Sequence, residues 1–245
     1  MSADVDQKLD QKPRGRGIVR RSTLVWLVSK VVVLAVCKVW HRLRADNAGA
    51  VPATGPVLLV ANHTSYLDPP LVGITQKREV GFLAQSGLAA FAPLRWWLRQ
   101  VGVTLIDRKA PSKDALRLVA DTLAAGEVVG IFPEGTRSAD GAVGPFRNGV
   151  EFLVRRTGCT VVPIGIEGAH RAFGRGAWFV KPTKLVVRYG NAWSAEQVLA
   201  PGGVEALRRA IADLAKVPLR ECPPKSVSTP VRAHTEPTSS ADSGA

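Results

Sequence analysis

The sequence predicts an α/β fold with a mostly parallel central sheet flanked by helices, preceded by an N-terminal amphipathic helix. Three observations carry this expectation. From Gly55 onward, short apolar runs alternate with helix-like segments, the order expected of strands joined by crossover helices in one sheet. Upstream, Thr23–Trp40 is apolar but interrupted by Lys30 and Lys38. No internal repeat divides the chain, and 245 residues suffice for one domain with a proper core.

Taken in order, residues 1–17 are polar, of mixed charge and with Gly and Pro, a composition expected to be disordered. Residues 18–45 contain the apolar stretch. As a signal peptide it starts late, and no A-x-A-like site follows. As a membrane span it is too broken, with uninterrupted apolar runs of five (Leu24–Val28) and seven (Val31–Cys37), where a span needs roughly 20 predominantly apolar residues. At ~100° per residue, Arg20, Thr23, Lys30, Lys38, His41, Arg42 and Arg44 fall on one side of a helix and Val25, Val28, Val32, Val36, Val39 and Leu43 on the other. Leu27, Val31 and Leu34 interrupt the polar side. With Trp26 and Trp40 as anchors, this suits a membrane-associated helix lying in the interface; the other reading is a helix packed on the domain with its lysines in water.

Residues 46–220 form the folded domain. Strands are expected at Val57–Ala61, Val80–Ala84, Val103–Ile106, Val128–Phe132, Val161–Ile166 and Leu185–Arg188. Helices are expected near Pro69–Thr75, Leu94–Gln100, Ser112–Ala125 and Gly149–Arg156. Ser194–Gln197 has the form of a capping box, after which Val204, Leu207, Ile211 and Leu214 line one face of a late helix. Residues 221–245, rich in Pro, Ser and Thr, read as a disordered tail.

Composition narrows the function. Lys and Arg number 33 against 20 Asp and Glu, giving a net charge of +13, and hydrophobic residues make up 46%. The charge is concentrated: no acidic residue occurs from Gln11 to Ala45, where nine basic ones do. Such an excess implies an anionic partner, whether nucleic acid, an acidic lipid surface or a phosphorylated substrate. The three cysteines are far apart, and no Cys/His cluster has metal-ligand spacing, so neither a disulfide framework nor a metal site is expected. Sparse cysteine favours a reducing, cytoplasmic setting.

The most informative segment is Asn62-His63-Thr64-Ser65-Tyr66-Leu67-Asp68-Pro69-Pro70. It follows an apolar strand, and Asp-Pro-Pro has the form of an N-cap and helix start. His63 and Asp68 therefore stand on a strand-to-helix connection, where α/β folds place their sites. Five residues apart on a helix they would diverge by ~140°; on a turn the carboxylate can fold back onto one imidazole nitrogen and leave the other as a base of fixed tautomer. From spacing alone a second reading stands, a satisfied polar His beside a capping Asp. A second segment, Phe132-Pro133-Glu134-Gly135-Thr136-Arg137-Ser138, also follows an apolar strand. Gly135 frees the turn, Thr136 and Ser138 add hydroxyls, and Arg137 offers a planar fork suited to phosphate oxygens. Glu134 is expected to orient that guanidinium or to bond a substrate hydroxyl; the alternative is a surface turn with an i,i+3 ion pair. Neither a Walker loop nor a Gly-x-Ser-x-Gly elbow occurs.

Together these segments resemble the lysophosphatidic acid (1-acyl-glycerol-3-phosphate) acyltransferase family of glycerolipid acyltransferases. Its His-x-x-x-x-Asp motif matches His63 to Asp68, and its Phe-Pro-Glu-Gly-Thr-Arg-Ser block matches Phe132–Ser138 without change. Gly102–Arg108 looks like the intervening block, whose arginine is associated with acceptor binding, and Val162–Gly165 looks like the last block. Pro145-Phe146-Arg147-Asn148-Gly149 resembles the usual Phe-Lys-x-Gly with arginine for lysine, so the charge survives. The resemblance spans about residues 50–190 and makes 46–220 an acyltransferase domain.

The resemblance implies that His63, held by Asp68, deprotonates the free hydroxyl of a lysophospholipid, which attacks the thioester of acyl-CoA or acyl carrier protein directly. It implies that Arg137, Arg108 and Arg147 meet phosphate, that Glu134, Gly135 and Thr136 help to place the acceptor, and that no cofactor or metal is needed beyond the acyl-CoA or acyl-ACP co-substrate. Leu88–Leu98, with Phe91 and, between Arg95 and Arg99, Trp96 and Trp97, would line an acyl path, touch the bilayer or belong to the core. The expected location is the cytoplasmic face of the cell membrane, peripheral or monotopic, on an anionic surface. Another acceptor (glycerol 3-phosphate, another lysophospholipid or an ornithine lipid) is the alternative within the family. Outside it stands a non-enzymatic basic membrane- or nucleic-acid-binding protein, for which no helix-turn-helix, zinc or RNP-type pattern speaks.

Overall fold

A computed structural model describes residues 24–85, 103–106 and 112–221. Outside them lie Arg108, the Leu88–Leu98 segment, the helix expected at Leu94–Gln100, the ends 1–17 and 222–245, and the side chains of Val25 and Trp26.

The elements run α1 (Leu24–Trp40), β1 (Arg44–Asp46), a 3-10 turn (Ala48–Ala50), β2 (Val57–Ala61), α2 (Asp68–Thr75), β3 (Val80–Gln85), β4 (Val103–Ile106), α3 (Ser112–Ala124), β5 (Val128–Ile131), α4 (Gly149–Thr157), β6 (Thr160–Glu167), α5 (Ala169–Phe173), β7 (Val186–Tyr189), α6 (Ala195–Leu199) and α7 (Gly203–Ala215). Seven strands form one sheet in the order β1-β7-β6-β2-β5-β3-β4. Every pair is parallel except β6 with β7, so the mostly parallel α/β architecture is present. The expected strands lie within a residue or two of these bounds. β1, the 3-10 turn and the five-residue α5 are additions, because none has enough residues to display a period. β1 also pairs with β7 across what the sequence marks as the boundary at 45/46, so the end of the 18–45 segment belongs to the sheet.

Alternation along β2 splits the core. Val57, Leu59 and Ala61 join one cluster with Leu71, Val72 and Ile74 of α2, Cys37 of α1 and Ala172 of α5. Leu58 and Val60 join the other with Leu123 of α3, Leu153 of α4 and Leu207 and Ile211 of α7. Strands covered on both faces have no polar side to show, which is why Val57–Ala61 reads as an unbroken apolar run. Gly165 lets α7 lie directly on β6, since a Cβ there would stand 2.2 Å from the Ala215 backbone nitrogen.

Two local expectations are corrected. Asp68 is the first residue of α2 rather than its cap, and Leu67, with helical dihedrals, holds the cap position. For α1 it is the alternative of a packed helix with its lysines in water that fails: Val33, Leu34 and Cys37 pack inward, and the Lys30 ammonium bonds the carbonyl of Gln76. Burial holds the Lys30 pKa below its ordinary value, against a smaller opposing pull from Glu79. The outward face is apolar instead, with Leu24, Leu27, Val28, Val31, Val32, Val36, Val39 and Trp40 all exposed.

Candidate active site

β2 and β5 are parallel neighbours, so the two motif loops leave the same edge of the sheet, the carboxyl edge at which open α/β sheets bind ligands. Just past β2, Asn62 is fully buried. Its amide behaves like one more rung of the sheet, accepting from Ile166 N at 2.8 Å and donating to Ile166 O at 3.1 Å. The chain then turns, and Asp68 closes the turn from inside. Its Oδ2 accepts from Thr64 N and Ser65 N, both at 2.7 Å, and from His63 Nδ1 at 2.9 Å. The fold-back expected of a His and an Asp five residues apart is therefore made. Asp68 is fully buried while the His63 side chain keeps 19% of its surface. With Nδ1–H spent on the carboxylate, Nε2 carries the lone pair and is the nitrogen left to act as a base. The ring stacks on Phe132 of the second loop, with centroids 4.3 Å apart and planes at 24°.

The second loop grips the His63 backbone from both sides. His63 N–H donates to Glu134 Oε1 at 2.9 Å, and Ser138 N–H donates to His63 O at 2.7 Å. The other oxygen, Glu134 Oε2, accepts from Gly144 N at 3.0 Å. The expectation that Glu134 orients Arg137 is thereby corrected: the carboxylate is a buried strut between two backbone amides. Burial pushes its pKa up, against the lowering effect of those two donors. Behind it, Arg208 of α7 is buried and donates from Nε to Gly144 O at 2.8 Å. A chain of hydrogen bonds thus runs from Arg208 through Gly144 and Glu134 to His63.

Arg137 lies over the Tyr66 ring, its guanidinium carbon 3.5 Å from the centroid, a cation–π contact. Its Nη1 is buried and has no partner among the described residues. Gly135 has φ +72°, and a Cβ there would meet Arg147 Nε at 2.5 Å; only glycine allows that guanidinium to lie against the turn. Thr136 and Arg147 are exposed. His63, Asp68, Glu134, Gly135, Arg137 and Arg147 are thus gathered around two neighbouring loops. Sequence reasoning gave no role to Asn62, Tyr66, Phe132 or Arg208. Tyr66 and Phe132 sat inside the motifs in plain view, whereas nothing in the sequence marks Arg208 as different from other helical arginines.

Comparison with known proteins bears on this site. A family model described as Acyltransferase matches residues 42–167 and so covers both loops. The 1-acyl-sn-glycerol-3-phosphate acyltransferase alpha of Mus musculus is 32% identical over 193 residues, covering 72% of this chain and 64% of that protein. The chloroplastic 1-acyl-sn-glycerol-3-phosphate acyltransferases BAT2 of Brassica napus and LPAT1 of Arabidopsis thaliana are 33% and 32% identical over 50% and 56% of this chain. The matched part spans 36%, 39% and 64% of the lengths of BAT2, LPAT1 and the mouse protein. The crystal structure of the 1-acyl-sn-glycerophosphate (LPA) acyltransferase PlsC from Thermotoga maritima superposes with a TM-score of 0.59 at 24% identity, over 78% of this chain and 79% of that one. At that identity the likeness is one of fold.

Proposed function

Because the chain belongs to the acyltransferase family, whose model covers both motif loops, we propose that it transfers a fatty acyl group from acyl-CoA or acyl carrier protein to the free sn-2 hydroxyl of 1-acyl-glycerol-3-phosphate, giving phosphatidic acid. The observation that carries this reading is the 2.9 Å contact between His63 Nδ1 and Asp68 Oδ2, with the carboxylate itself anchored by two backbone amides. His63 Nε2 takes the hydroxyl proton as the oxygen attacks the thioester carbon. The tetrahedral intermediate collapses, the carbon–sulfur bond breaks, and the departing thiolate takes a proton from the imidazolium or from water. Transfer is direct, with no acyl-enzyme, and needs no metal or resident cofactor. The free Nη1 of Arg137 takes an oxygen of the acceptor phosphate, joined by Arg108 and Arg147, and the Thr136 hydroxyl bonds the glycerol. Gly135 keeps the turn open for the acceptor, while Glu134 serves the acceptor indirectly by holding His63.

The catalytic unit in this reading is residues 46–220 together with β1. α1 lies in the anionic cytoplasmic face of the cell membrane, as part of a peripheral or monotopic protein. Its exposed apolar face supports this, and no described helix is long and apolar enough to cross a membrane. Supplying one acyl thioester and a panel of acceptors tests the reading. 1-Acyl-glycerol-3-phosphate should turn over with the highest kcat/KM. Preference for glycerol 3-phosphate, lysophosphatidylglycerol or an ornithine lipid would reassign the acceptor, and no turnover of any of them would sink the enzymatic reading.

A further inference from the structure

After α5 the chain runs out through residues 174–184 before returning as β7. At its tip Trp178 is 97% exposed and Phe179 65%, although both are large apolar side chains that a folded chain ordinarily covers. Around them stand Arg171, Arg175, Lys181 and Lys184, all exposed. No acidic residue occurs from Gly168 to Val187, and none of the four cations forms an ion pair with a described residue. Lys181 instead lies over the Phe179 ring, 5.8 Å from its centroid. Both ends of the loop are fixed. At its start Phe173 packs on Tyr66 at 5.9 Å and accepts from Ser65 Oγ at 2.7 Å. At its end Thr183 O lies 3.1 Å from His41 Nδ1, and Leu185 N–H donates to His41 O at 3.0 Å. One end therefore reaches the turn that carries His63, and the other reaches the residues that terminate α1.

We propose that the 174–184 loop is an anionic-membrane docking element in its own right, seating Trp178 and Phe179 among lipid headgroups while Arg171, Arg175, Lys181 and Lys184 meet the acidic surface. An indole or phenyl ring at the headgroup level with basic residues beside it is the arrangement that interfacial binding favours. An unrelieved run of positive charge complements an anionic leaflet. Phe173 carries the consequence to the site, because the surface held by the loop lies beside Tyr66 and the Arg137 fork stacked on it. An amphiphilic acceptor can then stay partly in the leaflet while its headgroup is bound. Only that last purpose rests on the acyl-transfer reading; the docking does not.

The test uses the full chain without an acyl donor, mixed with vesicles of 7:3 phosphatidylcholine and phosphatidylglycerol. Trp178→Ala/Phe179→Ala should lower the partition coefficient roughly tenfold or more. Lys181→Ala and Lys184→Ala should each lower it roughly fivefold at low salt and little on pure phosphatidylcholine. Both sets should keep the wild-type Tm, since the side chains are exposed. Brominated lipid should quench wild-type tryptophan emission more than that of Trp178→Phe. Unchanged partitioning of the aromatic double variant, or equal quenching of wild type and Trp178→Phe, overturns the proposal. So would variants that keep vesicle affinity but lose affinity for an acidic carrier protein, which would make the loop a protein dock. If the wild type transfers no acyl group yet the variants lose vesicle binding, the docking stands and the enzymatic reading falls.

Discussion

The loops after β2 and β5 each bury a carboxylate, yet they are built in opposite ways. Asp68 gathers three donors on one oxygen from the five residues before it, His63, Thr64 and Ser65. Glu134 spreads its two oxygens over donors 71 positions upstream and 10 downstream, and its backing, Arg208 on Gly144, spans another 64 positions. The first carboxylate closes its turn with donors from its own loop, whereas the second is satisfied by donors from elsewhere in the protein. A self-closed turn keeps its geometry against distant change, and a strut transmits such change to whatever leans on it.

The sharpest way to break the first loop is His63→Ala. If Nε2 is the base, kcat should fall by roughly 10²–10⁴-fold, while Tm moves little, because Asp68 still holds Thr64 and Ser65. A kcat within a few-fold of wild type, measured with the same thioester, removes His63 from that role.

The same contrast explains what could be read in advance. The His63–Asp68 fold-back lies within five residues, so spacing offered it as one of two readings, and the family resemblance favoured it. What spacing missed was that Asp68 turns inward to the loop amides instead of capping α2. The Asn62–Ile166 rungs span 104 positions and the Glu134–His63 bond spans 71; no local pattern encodes such partners. For Glu134 the local pattern offers Arg137, three residues on, or a substrate hydroxyl, whereas backbone amides elsewhere claim both oxygens. α1 gives a similar lesson at the level of a helix. Its apolar residues announce a helix, but nearly all-round apolarity leaves open which side meets the domain, and Lys30 found an inward partner in the Gln76 carbonyl.

A smaller effect is expected from Glu134→Gln. One amide partner is lost, so kcat should fall roughly tenfold through a looser His63, an effect worth about 1–2 kcal/mol. Its pH signature has a definite sign. Burial raises the Glu134 pKa in the folded state, so its contribution to stability is full below the unfolded value and is lost as pH rises through the folded one. The Tm of wild type relative to Glu134→Gln should therefore decline from acid toward neutral pH. A difference that is flat with pH would show that Glu134 does not titrate as a buried group.

Smallest of all should be Asp140→Asn at the rim of the second loop. Hydrogen bonds from Arg220, first of all, and then from Ser138 and Ala142 hold the Asp140 carboxyl well below the usual carboxylate range. A depressed pKa gives stability that is present above the unfolded value and lost as pH falls through the folded one. The variant should lose that acid-side dependence, with Tm only slightly lower at pH 7, because the ion pair with Arg220 is exposed, and with unchanged kcat. A kcat loss matching that of Glu134→Gln would mean that the rim also supports His63.

The position of β2 has a consequence for biogenesis. It lies between β5 and β6, so its five apolar residues have no adjacent strand until Val128 has been synthesised, and they lack the second until Thr160. At about 5–20 residues per second, the wait for the second neighbour lasts on the order of 5–20 s. Until then Val57–Ala61 keeps at least one unpaired edge, a β-prone exposure of the kind that favours aggregation. The residues proposed to do the chemistry, His63 and Asp68, emerge early, but they cannot be set in place until two strands encoded far downstream arrive to clasp the one that carries them.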